Sequence, residues 1–261
     1  MTKIIAVANQ KGGVGKTTTA VNLAASLAAS HQRVLMVDLD PQGNATMGCG
    51  IDKNALEVSA CDMLLGDAEG RTTIQRAVEG DFDVIPANAD LTTAEVRLIN
   101  EFGRETRLRA ALEPLAKDYD YILIDCPPSI NMLTVNALTA ATGVLIPMQC
   151  EYYALEGLSS LLSTIEQIRD AVNPSLTLEG LLRTMFDPRN NLANEVSGQL
   201  ILHFGKKVYR TVIPRNVRLA EAPSFGTPAL FHDRYSRGAL AYLALAGEIM
   251  RREEKAAQGV A

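Results

Sequence analysis

Short apolar runs alternate with longer segments of helical periodicity along the whole chain. Most of the apolar runs are continuous, which is typical of parallel strands covered on both faces. They are residues 4–8, 34–37, 82–85, 121–124, 144–148, 178–185 and 208–213. The helical patterns between them are residues 16–29, 92–116, 131–141, 155–172, 194–204 and 236–252. This order predicts an α/β fold, a doubly wound and mostly parallel sheet flanked by helices.

Neither a linker nor an internal repeat interrupts this pattern. We therefore expect a single domain over residues 1–252 and a flexible tail over residues 253–261. No apolar run approaches the ~20 residues that a membrane-spanning helix needs. The four cysteines lack C-x-x-C spacing, which favours free thiols in a reducing cytosol over a zinc site or a disulfide framework.

A glycine-rich loop lies between the first predicted strand and the first predicted helix, which is the context of a phosphate-binding loop. Glycines let backbone N–H groups surround phosphate oxygens, and the helix that follows directs its positive end at the same anion. Lys16 is expected to neutralise the β- and γ-phosphates, Thr17 to bind Mg²⁺ and Thr18 to contact the α-phosphate. The candidate nucleotide-binding residues are Lys11, Gly12, Gly13, Val14, Gly15, Lys16, Thr17 and Thr18.

Two later strands end in aspartates. Asp38 and Asp40 follow residues 34–37, and Asp125 follows residues 121–124. Because the carboxyl ends of parallel strands face the ligand crevice, these carboxylates are expected close to the loop. Each aspartate alone is equally typical of a turn or a helix cap, but three in this order indicate a catalytic and Mg²⁺ site together with Thr17.

The loop departs from the usual motif, because Gln10 stands where the first glycine is expected and Lys11 follows it. This variant resembles the deviant P-loop of the family that contains the ParA/Soj partition ATPases, MinD and the nitrogenase iron protein. The resemblance to ParA/Soj extends over nearly the whole chain. It is carried by residues 9–19 (NQKGGVGKTTT), 38–46 (DLDPQGNAT), 125–129 (DCPPS), 150–158 (CEYYALEGL) and 212–224 (VIPRNVRLAEAPS).

The resemblance implies an ATPase that uses ATP and Mg²⁺ and forms a homodimer with two nucleotides at its interface. Lys11 would reach the partner's nucleotide, in the manner of an arginine finger. Asp40 would orient or activate the attacking water, and Asp38 would support the switch. The ATP-bound dimer would bind double-stranded DNA without sequence preference in the cytoplasm, on the nucleoid. A ParB-type centromere-binding protein would then stimulate hydrolysis and release the dimer.

A basic segment supplies candidate DNA contacts. Residues 183–237 contain nine Lys/Arg and four Asp/Glu, although the whole chain has a net charge of −5. Such a segment is equally compatible with a solvated surface until the resemblance is considered. By that resemblance, Arg189 and Arg218 are the candidate DNA-binding residues, and Met185, Pro214 and Asn216 are the candidate adenine contacts. Glu151 is expected to contact ribose or a partner chain, or to cap the helix that follows it.

Three alternative functions have sequence requirements of their own. A MinD-like membrane-cycling ATPase needs an amphipathic C-terminal helix, and residues 250–261 have no adequate apolar face, so stable membrane association is not expected. An iron–sulfur protein needs two well-placed cysteines, and Cys126 has no evident second cysteine. A nucleotide-binding scaffold without turnover would have no need of Lys11 and Asp40.

Overall fold

The computed structural model describes residues 2–258, which form one eight-stranded sheet. Its strand order is β3-β4-β2-β5-β1-β6-β7-β8. β3 pairs with β4 in the antiparallel sense and the other neighbours pair in parallel, as the sequence predicted. The strands are β1 (Lys3–Val7), β2 (Val34–Asp38), β3 (Gln75–Arg76), β4 (Asp83–Ile85), β5 (Tyr121–Asp125), β6 (Gly143–Gln149), β7 (Thr177–Phe186) and β8 (Val208–Pro214).

Helices cover both faces of this sheet, each over its own apolar core. Ile5 and Val7 of β1 belong to the core beneath α1 and α11, whereas Ala6 belongs to the core beneath α5, α6 and α7. The helices are α1 (Lys16–Ala29), α2 (Asn44–Gly48), α3 (Ala60–Leu65), α4 (Leu91–Leu98), α5 (Arg107–Ala116), α6 (Met132–Ala140), α7 (Ala154–Ala171), α8 (Asn191–Phe204), α9 (Val217–Glu221), α10 (Ala229–His232) and α11 (Arg237–Ala257). The prediction of a doubly wound α/β domain is confirmed.

Two predicted segments differ in the structure. The single helix expected over residues 92–116 is divided into α4 and α5, because Gly103 adopts a left-handed φ of 67° that a helix does not contain. The tail expected from residue 253 is helical as far as Ala257. Glu253 is held there because its carboxylate accepts a hydrogen bond from the Tyr121 hydroxyl and lies 3.3 Å from the Lys3 ammonium. Residues 259–261 of that expected tail lie outside the described residues.

Strand register sets the position of the predicted acids. Asp125 at the end of β5 is in register with Val7 of β1 on one side and with Asp38 of β2 on the other. Adjacent parallel strands lie about 4.8 Å apart, so Asp125 stands one strand and Asp38 two strands away from the end of β1, where the glycine-rich loop begins. The fold therefore collects the loop and the aspartates at one edge of the sheet.

Candidate nucleotide-binding site

The glycine-rich loop is tied to the strands on one side of it. The Thr184 hydroxyl of β7 donates to the Val14 carbonyl oxygen at 2.8 Å, and the Asn9 amide donates to the Pro147 carbonyl oxygen at 2.7 Å. Neither Thr184 nor Asn9 was recognised from sequence as an anchor. Asn9 stands beside the loop motif, but Thr184 comes 170 residues after the residue that it holds. These bonds fix the loop before any ligand binds.

The interior of the loop is shaped for an anion. Gly13 and Gly15 have left-handed φ values of 72° and 87°, which side chains adopt only with strain. A Cβ at Gly12 or Gly13 would meet no described atom within 4 Å, so the space beside these residues is open. The first turn of α1, Lys-Thr-Thr-Thr, carries no acidic side chain, and Gly15 at its N-cap has no side chain to occupy the free N–H groups. The positive end of α1 therefore remains available to phosphate.

The two lysines of the loop point to different environments. Lys16 is 7% exposed, and its ammonium donates to the Lys11 carbonyl oxygen at 3.2 Å across the loop. Burial lowers the pKa of Lys16, and the nearby negative charge of Asp125 opposes this shift. Phosphate oxygens would supply the counter-charge that this buried cation needs.

Lys11, in contrast, leaves the loop towards solvent. Its side chain remains 46% exposed, and its ammonium forms an ion pair with the carboxylate of Glu151, which is 51% exposed. Tyr153 occupies the N-cap position of α7. The Glu151 carbonyl oxygen accepts from the Ala154 amide at 3.0 Å, but among the described contacts the Glu151 carboxylate caps no helix. Of the roles expected for Glu151, capping of the helix by its side chain is therefore not seen, and the carboxylate faces Lys11 at the rim of the site.

Asp38 is wholly buried, and hydrogen bonds hold both of its carboxylate oxygens. One accepts from the Asp40 amide at 3.1 Å, and the other accepts from the Thr46 amide at 2.8 Å and the Thr46 hydroxyl at 2.7 Å. Burial raises the pKa of Asp38 to about 6, although the bonds from Thr46 act in the opposite direction. The Thr46 hydroxyl also accepts from the Ala87 amide at 2.8 Å. Sequence reasoning assigned no role to Thr46, which links Asp38 to the loop after β4.

Asp125 is wholly buried and differs sharply from Asp38. Neither of its carboxylate oxygens receives a hydrogen bond of acceptable geometry from residues 2–258. Burial raises the pKa of Asp125 well above its usual range, and the like charge of Asp38 adds to the shift. The Thr17 hydroxyl and the Lys16 ammonium lie near enough to lower it in part. Two orphaned carboxylate oxygens beside a phosphate-shaped loop fit a bound cation, which would satisfy them.

Asp40 occupies the turn that leaves β2. One of its carboxylate oxygens accepts from the Gln42 amide at 2.9 Å, and its carbonyl accepts from the Gly43 amide at 2.9 Å. Within the described chain, no three Asp, Glu, His or Cys side chains converge as a ready-made metal cluster. That arrangement suits Mg²⁺, which usually takes one or two protein ligands and completes its shell with water and phosphate oxygens.

The three candidate adenine contacts lie at the ends of β7 and β8, on the same edge as the loop. Pro214 is in register with Phe186, the neighbour of Met185. Met185 has a left-handed φ of 48°, which is uncommon for a residue other than glycine, and its sulfur lies 2.8 Å from the Gln149 amide nitrogen. The Asn216 carboxamide oxygen caps α9 by accepting from the Arg218 amide at 3.0 Å.

The basic segment is divided between the interior and the surface. Arg183 is only 8% exposed and donates to the Ser197 hydroxyl and the Tyr209 carbonyl oxygen at 2.8 Å each, so it braces β7 and is withdrawn from solvent. Arg189 is exposed and pairs with Asp187. Arg218 is exposed on α9 and pairs with Glu221 at 2.8 Å and with Asp233 at 3.3 Å. Both candidate DNA-binding arginines therefore reach solvent, each beside acidic neighbours.

The four cysteines are buried and free. Among the helices of residues 2–258, none combines the length and the apolar character that crossing a membrane requires.

Comparison with known proteins identifies the family. A family model described as an AAA domain matches residues 2–178. The sporulation initiation inhibitor protein Soj of Bacillus subtilis is 54% identical over 249 residues, covering 95% of this chain and 98% of Soj. The chromosome partitioning protein ParA of Myxococcus xanthus is 53% identical over 251 residues, covering 96% of this chain and 89% of ParA.

A solved structure with the same fold carries the predicted cofactor chemistry. Cobyrinic acid a,c-diamide synthase from Mycobacterium smegmatis, crystallised with ADP and magnesium, has a TM-score of 0.86 and 39% sequence identity over 98% of this chain and 97% of its own. The predicted pairing of an adenine nucleotide with Mg²⁺ agrees with these ligands. By its loop, its aspartates and its full-length similarity to Soj and ParA, this chain belongs to the ParA/Soj family of chromosome-partitioning P-loop ATPases.

Proposed function

We propose that this protein is an ATP-dependent dimerising switch for the partitioning of DNA. In its ATP-bound form, two copies associate face to face and bind double-stranded DNA without sequence preference. A ParB-type centromere-binding protein stimulates hydrolysis, after which the dimer separates and leaves the nucleoid. The observation that carries this proposal is that the two loop lysines extend in different directions. Lys16 is buried beside the candidate phosphate site, and Lys11 lies on the surface.

The buried half of the site would hold Mg²⁺-ATP. The N–H groups of Gly12, Gly13 and Gly15 would surround the phosphates, with Lys16 supplying positive charge and Thr18 a further hydroxyl. Thr17 and Asp125 are the side chains best placed to hold Mg²⁺, which would neutralise charge on the β- and γ-phosphate oxygens.

The acidic turn would provide the residues of hydrolysis. Within residues 2–258 the Asp40 carboxylate accepts a hydrogen bond only from the Gln42 amide, on one oxygen, so the other oxygen remains free to orient water. Asp38 has both oxygens occupied, which suits a residue that holds the turn in place more than one that binds the metal directly. The strained backbone of Met185, with Pro214 and Asn216, would border the adenine.

Lys11 would act in the partner's site. Its ammonium extends away from its own loop, and within residues 2–258 an exposed ion pair alone holds it, which contributes at most about 1 kcal/mol. A second nucleotide presented by another copy of the chain would replace one carboxylate with several phosphate oxygens. This exchange makes association depend on the triphosphate.

Complementation between two inactive variants tests the trans role of Lys11. Lys11→Ala and Asp40→Ala should each lose the ATP hydrolysis that the ParB-type protein stimulates, while keeping ATP binding. In an equal mixture, half of the dimers contain one copy of each variant. Each of these dimers has one nucleotide site that combines an intact Asp40 with an intact Lys11 from the other copy. Turnover should return to about one quarter of the wild-type value. Lys117→Ala, an exposed lysine at the opposite edge of the sheet, is the matched control and should change nothing.

Other outcomes separate the parts of this proposal. If the mixture stays inactive while Lys11→Ala still dimerises with ATP, the lysine acts in its own subunit. Lys16→Ala should lose nucleotide binding, and unchanged ATP affinity would contradict the assignment of the loop. Binding to duplex DNA should require ATP and should weaken steeply with salt, because phosphate contacts release counterions. ATP-dependent pelleting with anionic liposomes in place of DNA would favour the membrane-cycling alternative.

A further inference from the structure

The surface around Arg218 carries exposed aromatic rings as well as charge. Phe225 is 69% exposed and Tyr235 is 79% exposed, and both belong to the stretch that connects β8 to α11. Val217 and Phe231 of that stretch are also exposed, as is Leu240 in the first turn of α11. Such a concentration of apolar surface among arginines marks a binding surface.

A continuous series of contacts joins the Phe225 ring and the Tyr235 backbone to Arg218. The Phe225 ring stacks on His232 with centroids 4.8 Å apart, and His232 lies 3.7 Å from the carboxylate of Glu221. Glu221 pairs with Arg218, which pairs in turn with Asp233. The Asp233 carboxylate accepts from the Tyr235 amide at 3.2 Å. We call Arg218, Phe225, His232, Arg234 and Tyr235, with these two acids, the Arg218 surface.

Both rings are held in place with one face free. His232 covers one side of Phe225, and the Arg234 guanidinium lies 5.5 Å from the centroid of the Tyr235 ring. Such stacking and cation–π contacts restrict the rotation of the rings in the unbound protein. A ring that is already oriented loses little conformational entropy when a flat ligand covers its remaining face.

Charge indicates an anionic occupant but provides only a modest attraction. Residues 215–237 contain four arginines against two acids, a local net charge of +2, in a chain of net charge −5. Arg218 is moreover shared between Glu221 and Asp233. Salt screens an attraction of this size readily, and an apolar contact would add a component that salt does not screen.

We propose that Phe225 and Tyr235 contact duplex DNA directly, as apolar wedges against its sugars and base steps, while the surrounding arginines bind phosphates. This inference rests on the proposed function, because it names the groups that would perform the proposed nonspecific DNA binding. Aromatic contact tolerates any sequence, because every base and every sugar offers an apolar face. The DNA affinity then has two components, one that salt screens and one that it does not.

Salt dependence separates these components. For the ATP-bound dimer, Phe225→Ala and Tyr235→Ala should each weaken duplex binding about fivefold or more with no change in the slope of log K against log salt. Arg218→Ala should instead reduce that slope by about one. Tyr235→Phe keeps the ring and should bind as the wild type does. Thermal unfolding midpoints equal to that of the wild type would show that the alanine variants are folded.

Fluorescence gives an independent measurement, because the sequence contains no tryptophan. Tyr235→Trp places a single reporter on the Arg218 surface, and duplex DNA with ATP should quench its emission and shield it from iodide. Phe102→Trp is the matched control, because Phe102 is fully exposed and the neighbouring helix α4 packs on the core of the other sheet face. Its emission should not respond to DNA.

The results distinguish this inference from the proposed function. If the wild-type ATP-bound protein retains no duplex DNA at low salt, both are overturned. If the wild type binds and the two alanine variants bind equally well, only the aromatic contact is wrong. Unchanged DNA affinity together with lost stimulation by the ParB-type partner would assign the rings to a protein interface and would also overturn it.

Discussion

Thr46 of α2 links the end of β2 to the loop after β4, so replacing it by valine should destabilise the fold measurably. Thr46→Val keeps the shape of the side chain but removes its hydroxyl. That hydroxyl donates to Asp38 at 2.7 Å and accepts from the Ala87 amide at 2.8 Å, and all three groups are buried. The substitution therefore removes one bond to a carboxylate and leaves one buried N–H without an acceptor.

The size of the effect follows from these two losses. A hydrogen bond to a charged group contributes about 1.5–3 kcal/mol, and an unsatisfied buried amide costs about 1–3 kcal/mol. Asp38, with a pKa of about 6, is ionised at pH 7.5, so the charged bond is present there. The added methyl group of valine offsets about 0.8 kcal/mol. The net loss is roughly 3 kcal/mol, which corresponds to a fall of about 6–12 °C in the melting temperature.

Thermal denaturation at pH 7.5 without nucleotide measures this loss. Thr46→Ser is the matched control, because it keeps the hydroxyl and both bonds while losing one methyl group, at about 1 kcal/mol. The valine variant should therefore melt clearly below the serine variant. If Thr46→Val has the melting temperature of the wild type, or if Thr46→Ser lowers it more than Thr46→Val does, the hydroxyl does not link Asp38 to Ala87.

Three further changes test other parts of the fold. Gly198→Ala in α8 should raise stability by about 0.5–1 kcal/mol, because alanine favours helix and its Cβ would meet no described atom within 4 Å; a lower melting temperature would contradict this. Gly238→Ala in α11 should instead cost about 1–3 kcal/mol, since its Cβ would lie 2.5 Å from Leu219. Burial opposes ionisation of Glu248, but hydrogen bonds from β8 and the positive charge of Arg252 in α11 lower its pKa below 4.5 overall. The stability that this carboxylate contributes is thus present above pH 4.5 and is lost as the pH falls from there through the lower folded-state pKa. In thermal melts, the stability lost in Glu248→Gln should therefore shrink as the pH falls below 4.5, and a loss that stays constant there would refute this expectation.

Sequence alone predicted the parts of the site that depend on order along the chain. The glycine-rich loop begins where β1 ends, and Asp38 and Asp125 close β2 and β5, so strand polarity alone places them together. The two faces of the sheet could also be inferred, because continuous apolar strands require cover on both sides.

Contacts between distant residues could not be predicted in this way. Lys11 and Glu151 are 140 residues apart, and no local sequence pattern predicts their ion pair. Arg183 was counted with the basic segment, yet β7 turns its side chain inwards to backbone carbonyls. The break between α4 and α5 depends on the left-handed conformation of Gly103. The hydrophobic periodicity of the sequence does not reveal the backbone conformation of a single residue.

The ion pair between Lys11 and Glu151 also fixes how often that lysine is available. An exposed ion pair that contributes at most about 1 kcal/mol is broken in at least about one sixth of the molecules, since RT is about 0.59 kcal/mol. A single copy of the chain thus samples the released lysine continuously, without a separate rearrangement to supply it. For the dimer proposed above, the rate at which two copies pair would then be set by their encounters and by which nucleotide each one carries.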